Sequence, residues 1–286
     1  TKQIQPTTWR CGRFLFDFSI RTKPLVMGIL NATPDSFSDG GKYRTATDAI
    51  AQAEKMINCG VDLIDIGGES TRPGAEPVNL QEELDRVLPV IEALKDCGVP
   101  LSIDTYKAET MRQALNAGAD CVNDIWALRQ DGALAAVLEN DGCGIVLMHM
   151  QRDPQTMQFN PEYKNVNKEV IDFLKERSEL LIQKGIDQNR IAIDPGFGFG
   201  KNLEQNLTML ANFSDFTNLG IPVLAGISRK SMLGKITGKD TNDRVSSSIA
   251  AAIMAADRGA KIVRVHDVPE TVDALKVWEA VHSLSG

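Results

Sequence analysis

The chain has 286 residues, 43% hydrophobic and 24% charged, with a formal net charge of -7. That acidity excludes nucleic acid as the main partner, because gripping a phosphate backbone needs a basic face, and no apolar stretch approaches the ~20 residues of a membrane span. Five cysteines form no CxxC and three histidines form no HxxxH, so neither a disulfide framework nor a His/Cys zinc site is expected, and a reducing cytoplasm suits the chain. The amino terminus carries no secretory leader pattern; a start at Thr1 rather than Met fits processing or truncation.

Residues 1–24 precede the first repeating unit, and Thr8 to Phe18 alternates loosely, as a hairpin closing the bottom of a barrel would. Eight short apolar runs then recur, each followed by helical periodicity. LVMGILN ends at Asn31 and leads to a helix at about 45–59; DLIDIGGES reaches Glu69, with a helix at about 79–96. LSIDT ends at Asp104 and Thr105 (helix about 107–117), and CVNDI carries Asn123 and Asp124 (about 131–140). GIVLMHM brings His149 (about 162–185) and IAIDPG brings Asp194 (about 203–213). PVLAGISRK supplies Ser228 to Lys230 (about 243–258), and IVRVH supplies Arg264 and His266 (about 269–284). Gly60, Gly98, Gly118 and Gly185 fall at helix ends, where a left-handed cap is wanted.

Eight strand–helix units predict one closed parallel barrel, an architecture of about 250 residues. The even spacing without a linker predicts a single domain over 1–286. In such barrels chemistry sits at the carboxyl ends of the strands, so the ends of the runs are candidates for the site. Two connections there are heavily loaded: ATPDSFSDGGKYR from Ala32 to Arg44, and GGESTRPGAEPV from Gly67 to Val78. Long loops on that face are lids more often than plain connectors, and Phe37 and Arg72 are costly to expose without a use.

The polar ends divide by charge. Ser228-Arg229-Lys230-Ser231 and Arg264-Val265-His266 place four cations after strands seven and eight, where barrels commonly hold a phosphate. Alternation puts Arg264 and His266 on one side. Asp104, Asn123 and Asp194 end strands three, four and six. With Lys230 they complement the N–H and carbonyl edge of a guanidine-like heterocycle; the same set is open to a hard-metal site or a general acid/base pair. The DPGFGFGK segment lacks the GxGxxG spacing of a dinucleotide fingerprint, and its glycines let backbone pass close to a flat ligand.

Taken together, LNATPDSFSDGG, DIGGESTRPGA, SIDTYK, NDI, DPGFGFGKN, GISRKS and RVHDV, in this order across about residues 23–282, resemble the bacterial dihydropteroate synthases, pterin-binding enzymes of folate biosynthesis. The resemblance implies an α/β fold, an eight-stranded (β/α)8 TIM barrel. It implies a transferase that joins 4-aminobenzoate to 6-hydroxymethyl-7,8-dihydropterin diphosphate, with Mg2+ as cofactor, in a cytoplasmic homodimer that sulfonamides target at the aminobenzoate pocket. By motif it assigns Asp104, Asn123, Asp194, Lys230 and Arg264 to the pterin, with Lys230, Arg264 and Asp104 catalytic. Asn31, Arg264 and His266 go to the diphosphate; Phe37, Thr71, Arg72, Pro73 and Ser231 to 4-aminobenzoate; Asn31 and Asp39 to the metal. A methyltetrahydrofolate methyltransferase-type barrel would share the pterin-edge acids but needs no diphosphate site. A non-catalytic pterin- or phosphate-binding module would leave that site and the two lids unexplained.

Overall fold

A computed structural model of the chain describes residues 4–33, 42–72, 74–154 and 156–285. Two short strands, β1 (Thr8–Cys11) and β2 (Phe14–Asp17), pair as an antiparallel hairpin. Then follow β3 (Leu25–Asn31), α1 (Lys42–Asn58), β4 (Leu63–Gly67), α2 (Leu80–Leu94), β5 (Leu101–Asp104), α3 (Ala108–Ala117) and β6 (Cys121–Asp124). The second half adds α4 (Ala133–Leu138), β7 (Gly144–Met148), α5 (Val166–Gln183), β8 (Ile191–Asp194), α6 (Leu203–Ala211), β9 (Leu224–Ala225), α7 (Ser231–Thr237), α8 (Val245–Asp257), β10 (Ile262–Val265) and α9 (Val268–His282).

The eight strands β3 to β10 form one parallel sheet in the order β8-β7-β6-β5-β4-β3-β10-β9. A single parallel bridge between Ile193 and Val223, with Ile193 N–H donating to Pro222 O at 2.9 Å, joins the two outer strands and closes it. The result is the expected TIM barrel. The helices begin and end where local chemistry dictates. Asn79 and Asn165 each accept from a backbone N–H of the first turn, and Asn202 with Gln205 makes a reciprocal capping box. The Asn165 cap starts α5 at Val166, four residues later than its periodicity alone predicts. Gly60, Gly98, Gly118 and Gly185 all have positive φ. Among the described residues one α-helix lies outside the eightfold pattern: α7, opening directly after Lys230.

Strand alternation divides the core in two. Val26, Leu30, Ile64, Ile66, Ile103, Val122, Ile145, Leu147 and Ile193 face outward and pack beneath the helices. Leu25, Met27, Leu63, Cys121, Val146, Ala192, Leu224 and Ile262 face inward and fill the lower barrel, plugged by Trp9 and Cys11 of the hairpin. Trp9 is fully buried and its indole N–H donates to Arg190 O at 3.1 Å; Gly12 N–H donates to Gly142 O at 2.7 Å. Both acceptors lie just before strands β8 and β7, so the hairpin sits at the amino ends of the strands. All five cysteines are free. Among the described residues no helix is long and apolar enough to cross a membrane.

Candidate active site

On five of the strands, moving up by two residues from the inner layer reaches a polar one. Leu63 is followed by Asp65, Ser102 by Asp104, Cys121 by Asn123, Ala192 by Asp194 and Ile262 by Arg264. The register aligns them, with Asp104 opposite Gly67 on one side and Asn123 on the other. A charge so placed needs partners. Arg264 Nε donates to Asp65 Oδ2 at 2.8 Å and its Nη2 to Asp104 Oδ2 at 3.3 Å. Asn123 Nδ2 donates to the same Asp65 oxygen at 3.0 Å. Asp194 Oδ1 accepts from Gly196 N–H at 2.9 Å. Lys230 donates its ammonium to Phe197 O and lies 4.9 Å from the centre of the Phe199 ring.

These groups frame a cleft of about 310 Å³, lined also by Thr71, Ile125, Met148, Phe199 and Gly226. Its rim is polar on the strand ends, and its walls are apolar from Met148, Ile125 and Phe199. Burial governs the charges. Desolvation, then the neighbouring Asp65 carboxylate, push Asp104 up to about 8 against the pull of Arg264. Burial likewise raises Asp194, opposed first by Lys230, and lowers Lys230 to about 8, opposed by Asp194. Burial works against the charge of Arg264 too, but Asp65 and Asp104 outweigh it and hold the guanidinium charged. The carboxylates are thus bound to an arginine, an amide and a backbone N–H. Among the described residues no group of three or more His, Cys, Asp or Glu could hold a metal ion.

The four-cation cluster read from the sequence needs correcting. Arg229 adopts a left-handed backbone, φ 56°, which turns its side chain out of the cleft onto Asp267, with a bidentate contact at 3.1 and 2.6 Å. His266 is held neutral: burial, then the Arg264 and Arg229 charges, bring it down to about 3. Its backbone N–H donates to Ser228 Oγ at 3.1 Å, and that hydroxyl lies 2.9 Å from His266 Nδ1. Two cations remain at the cleft, Lys230 and Arg264.

The other expected residues distribute as follows. Asn31 ends β3, hydrogen-bonded in the sheet to β10, after which His266 follows; both stand at the rim, outside the cleft lining. Thr71 lines the cleft, Arg72 is exposed, and Ser231 is the exposed first residue of α7. Phe37, Asp39 and Pro73 lie outside the described residues. The second loop is clamped at its base: Glu69 Oε1 accepts from Val78 N–H and lies 3.3 Å from Lys107 Nζ. Behind the loop a second cleft of about 610 Å³ runs past Glu69, Thr71, Tyr106, Trp126 and Pro154. Sequence reading missed Asp65, the shared partner of Arg264 and Asn123, and the apolar walls Ile125 and Met148. The signal for Asp65 was present: it lies two residues beyond inward-facing Leu63 in β4.

Fold and cleft together define an α/β-barrel enzyme whose polar layer sits at the carboxyl ends of its strands. The sequence matches the family model described as pterin binding enzyme over residues 27–266. It is 49% identical over 261 residues to the dihydropteroate synthase of Escherichia coli K12, covering 91% of this chain and 92% of that protein. The fold superposes on the Burkholderia cenocepacia dihydropteroate synthase complexed with 7,8-dihydropteroate at a TM-score of 0.88 and 52% identity, covering 97% of each chain. It superposes on the Xanthomonas albilineans enzyme with 4-aminobenzoic acid at 0.90 and 48% identity, covering 98% of this chain and all of that one. The chain belongs to the pterin-binding enzyme family and, within it, to the dihydropteroate synthases.

Proposed function

We propose that this chain, acting as one barrel domain over 1–286, joins 4-aminobenzoate to 6-hydroxymethyl-7,8-dihydropterin diphosphate. The C–O bond to the diphosphate breaks, a C–N bond to the arylamine forms, the amine loses a proton, and 7,8-dihydropteroate and diphosphate leave. The observation that carries the reading is the convergence of Asp104, Asn123, Asp194, Lys230 and Arg264 on one cleft with apolar walls. Carboxylates and an amide accept from ring and amino N–H groups while Lys230 donates to a carbonyl, which is the complement of a pterin edge. Lys230, Arg264 and Asp104 touch the reacting pterin and stabilise the charge that develops on it.

The diphosphate lies over the rim, where Asn31 and neutral His266 offer N–H donors and Arg264 a guanidinium. A magnesium ion arriving with its substrate would be held by the amide oxygen of Asn31 and by Asp39, with the substrate supplying the remaining ligands. That is the binding mode Mg2+ prefers to an all-protein cage. When bound, the ion supplies charge neutralisation to the diphosphate. Arg264 and the cleft dipoles stabilise a largely dissociative departure of the leaving group. Phe37, Thr71, Arg72, Pro73 and Ser231 then hold the neutral amine in line, and proximity provides much of the rate. The enzyme works in the cytoplasm as a homodimer.

Diphosphate release on mixing the protein with the pterin diphosphate and Mg2+, with and without 4-aminobenzoate, tests the reading. Release coupled to dihydropteroate formation is expected. Pterin binding with no release under either condition refutes it. 4-Aminobenzoate is captured after the pterin diphosphate, and equally tight aminobenzoate binding without the diphosphate refutes that order.

A further inference from the structure

The loop after β8, residues 195–202, carries the Phe199 wall of the cleft and the Phe197 carbonyl that Lys230 grips. It presses on the backbone that follows β7. A Cβ at Gly196 would lie 2.0 Å from His149 O, and one at Gly200 would lie 2.9 Å from Gln151 O. What fastens the two is a lysine that the proposed reaction does not use. Lys201 is only 2% exposed, and its ammonium donates to His149 Nδ1 at 2.8 Å, Gly196 O at 2.9 Å and Phe199 O at 2.9 Å, with His149 O further off at 3.4 Å. An ammonium has three N–H groups and no acceptor, so the three short contacts use it completely.

The partner must then be an acceptor. His149 sits between the Tyr163 and Phe173 rings, and burial followed by the Lys201 charge brings it down to about 2. The neutral ring turns its Nδ1 lone pair to the lysine. Burying an ammonium on uncharged acceptors is costly: burial pulls Lys201 well below the usual lysine range, and the Asp194 carboxylate just before the loop opposes that pull. The lysine therefore ties the backbone just after β7 to the glycine loop that begins directly after Asp194.

We propose that Lys201 is a positioning residue for pterin capture. Its buried amino group holds Gly196 and Phe199, and with them the cleft wall and the Gly196 N–H that donates to Asp194, in the shape the ring requires. The inference rests on the pterin-binding reading above. Misplacing a site group by about 1 Å can cost about 100-fold. Lys201→Met, which keeps the stem and removes the donors, is expected to weaken binding of 6-hydroxymethylpterin by about 10- to 100-fold. KM for the pterin diphosphate should rise with it, KM for 4-aminobenzoate should change little, and amide exchange should quicken at residues 196–200. Lys201→Arg keeps the charge but cannot converge its planar fork on all three acceptors; it should fold and show a smaller loss of the same kind.

A merely structural role would move other quantities: the melting temperature and folded fraction would drop while the folded molecules bound pterin normally. That result overturns the proposal, as does wild-type pterin affinity in both variants. Failure of both variants to fold also overturns it, by making the lysine a requirement of the barrel. A wild type that binds no pterin removes the parent reading and this one together; a wild type that binds it no better than both variants removes this one alone.

Discussion

Asp65 is the least exposed charge of the cleft, and removing it gives the sharpest test of how the polar layer is held. Its side chain is fully buried, while that of Arg264, 2.8 Å away, is 21% exposed. One of its oxygens serves both Arg264 Nε and Asn123 Nδ2. Asp65→Ala therefore strands a buried guanidinium and a buried amide together. Breaking a buried pair by deleting one partner costs about 3–5 kcal/mol, and Asp104, 3.3 Å from Arg264, places the expectation at the lower end. At about 2–4 °C per kcal/mol for a domain of this size, a cost of about 3 kcal/mol should lower the melting temperature by roughly 6–12 °C. Replacing both partners, as in D65L/R264M, removes the stranded charge, and most of that stability should return. Activity should be lost in both variants, because each loses a group that shapes the pterin edge. Thermal and urea melts at neutral pH, read beside turnover, decide it. A D65A protein as stable as wild type would refute the argument, and so would a double variant whose losses simply add.

Lys230→Met should weaken pterin binding by about 10- to 150-fold, the range for losing a hydrogen bond to a charged donor, as measured by titration calorimetry. Trp9→Ala, which empties the base of the barrel, should cost about 3–5 kcal/mol in urea melts while leaving both KM values of the folded enzyme unchanged; a shifted KM would mean the base and the cleft are coupled. The Asp104 carboxyl, held near 8 in the folded protein against 3.8 for the free group, keeps a proton that the unfolded chain gives up. Its contribution to stability is therefore present at low pH and is lost as pH rises from about 4 to about 8. D104N should show a flatter stability profile across that window, and an unchanged slope would exclude Asp104 as its source.

Much of this was legible because the barrel writes its site at regular intervals. Asp104, Asn123, Asp194 and Arg264 sit at the ends of apolar runs, and in a parallel barrel every run ends on the same face. Asp65 is harder to read because it lies inside its run, where alternation places a second inward residue, and not at the end. The fate of Arg229 could not be read: a positive φ on a non-glycine residue has no clear local signature, and Asp267 lies 38 positions away. The neutral state of His266 depends on burial under two arginines, and the Lys201–His149 contact spans 52 positions. Such pairings are made by the closed barrel and not by neighbouring sequence.

The closing of that barrel has its own consequence. Seven of the eight strand boundaries are proper ladders, but β8 meets the two-residue strand β9 through one bridge. The wall thus has a slit, and Asp194 and Lys230 stand on its opposite lips, with the Lys230 ammonium reaching across to Phe197 O. A ring held by Asp194 on one lip and Lys230 on the other would act as a button through both edges. The molecule should breathe first along this slit, and amide exchange at residues 191–194 and 223–225 should slow more on pterin binding than anywhere else in the sheet.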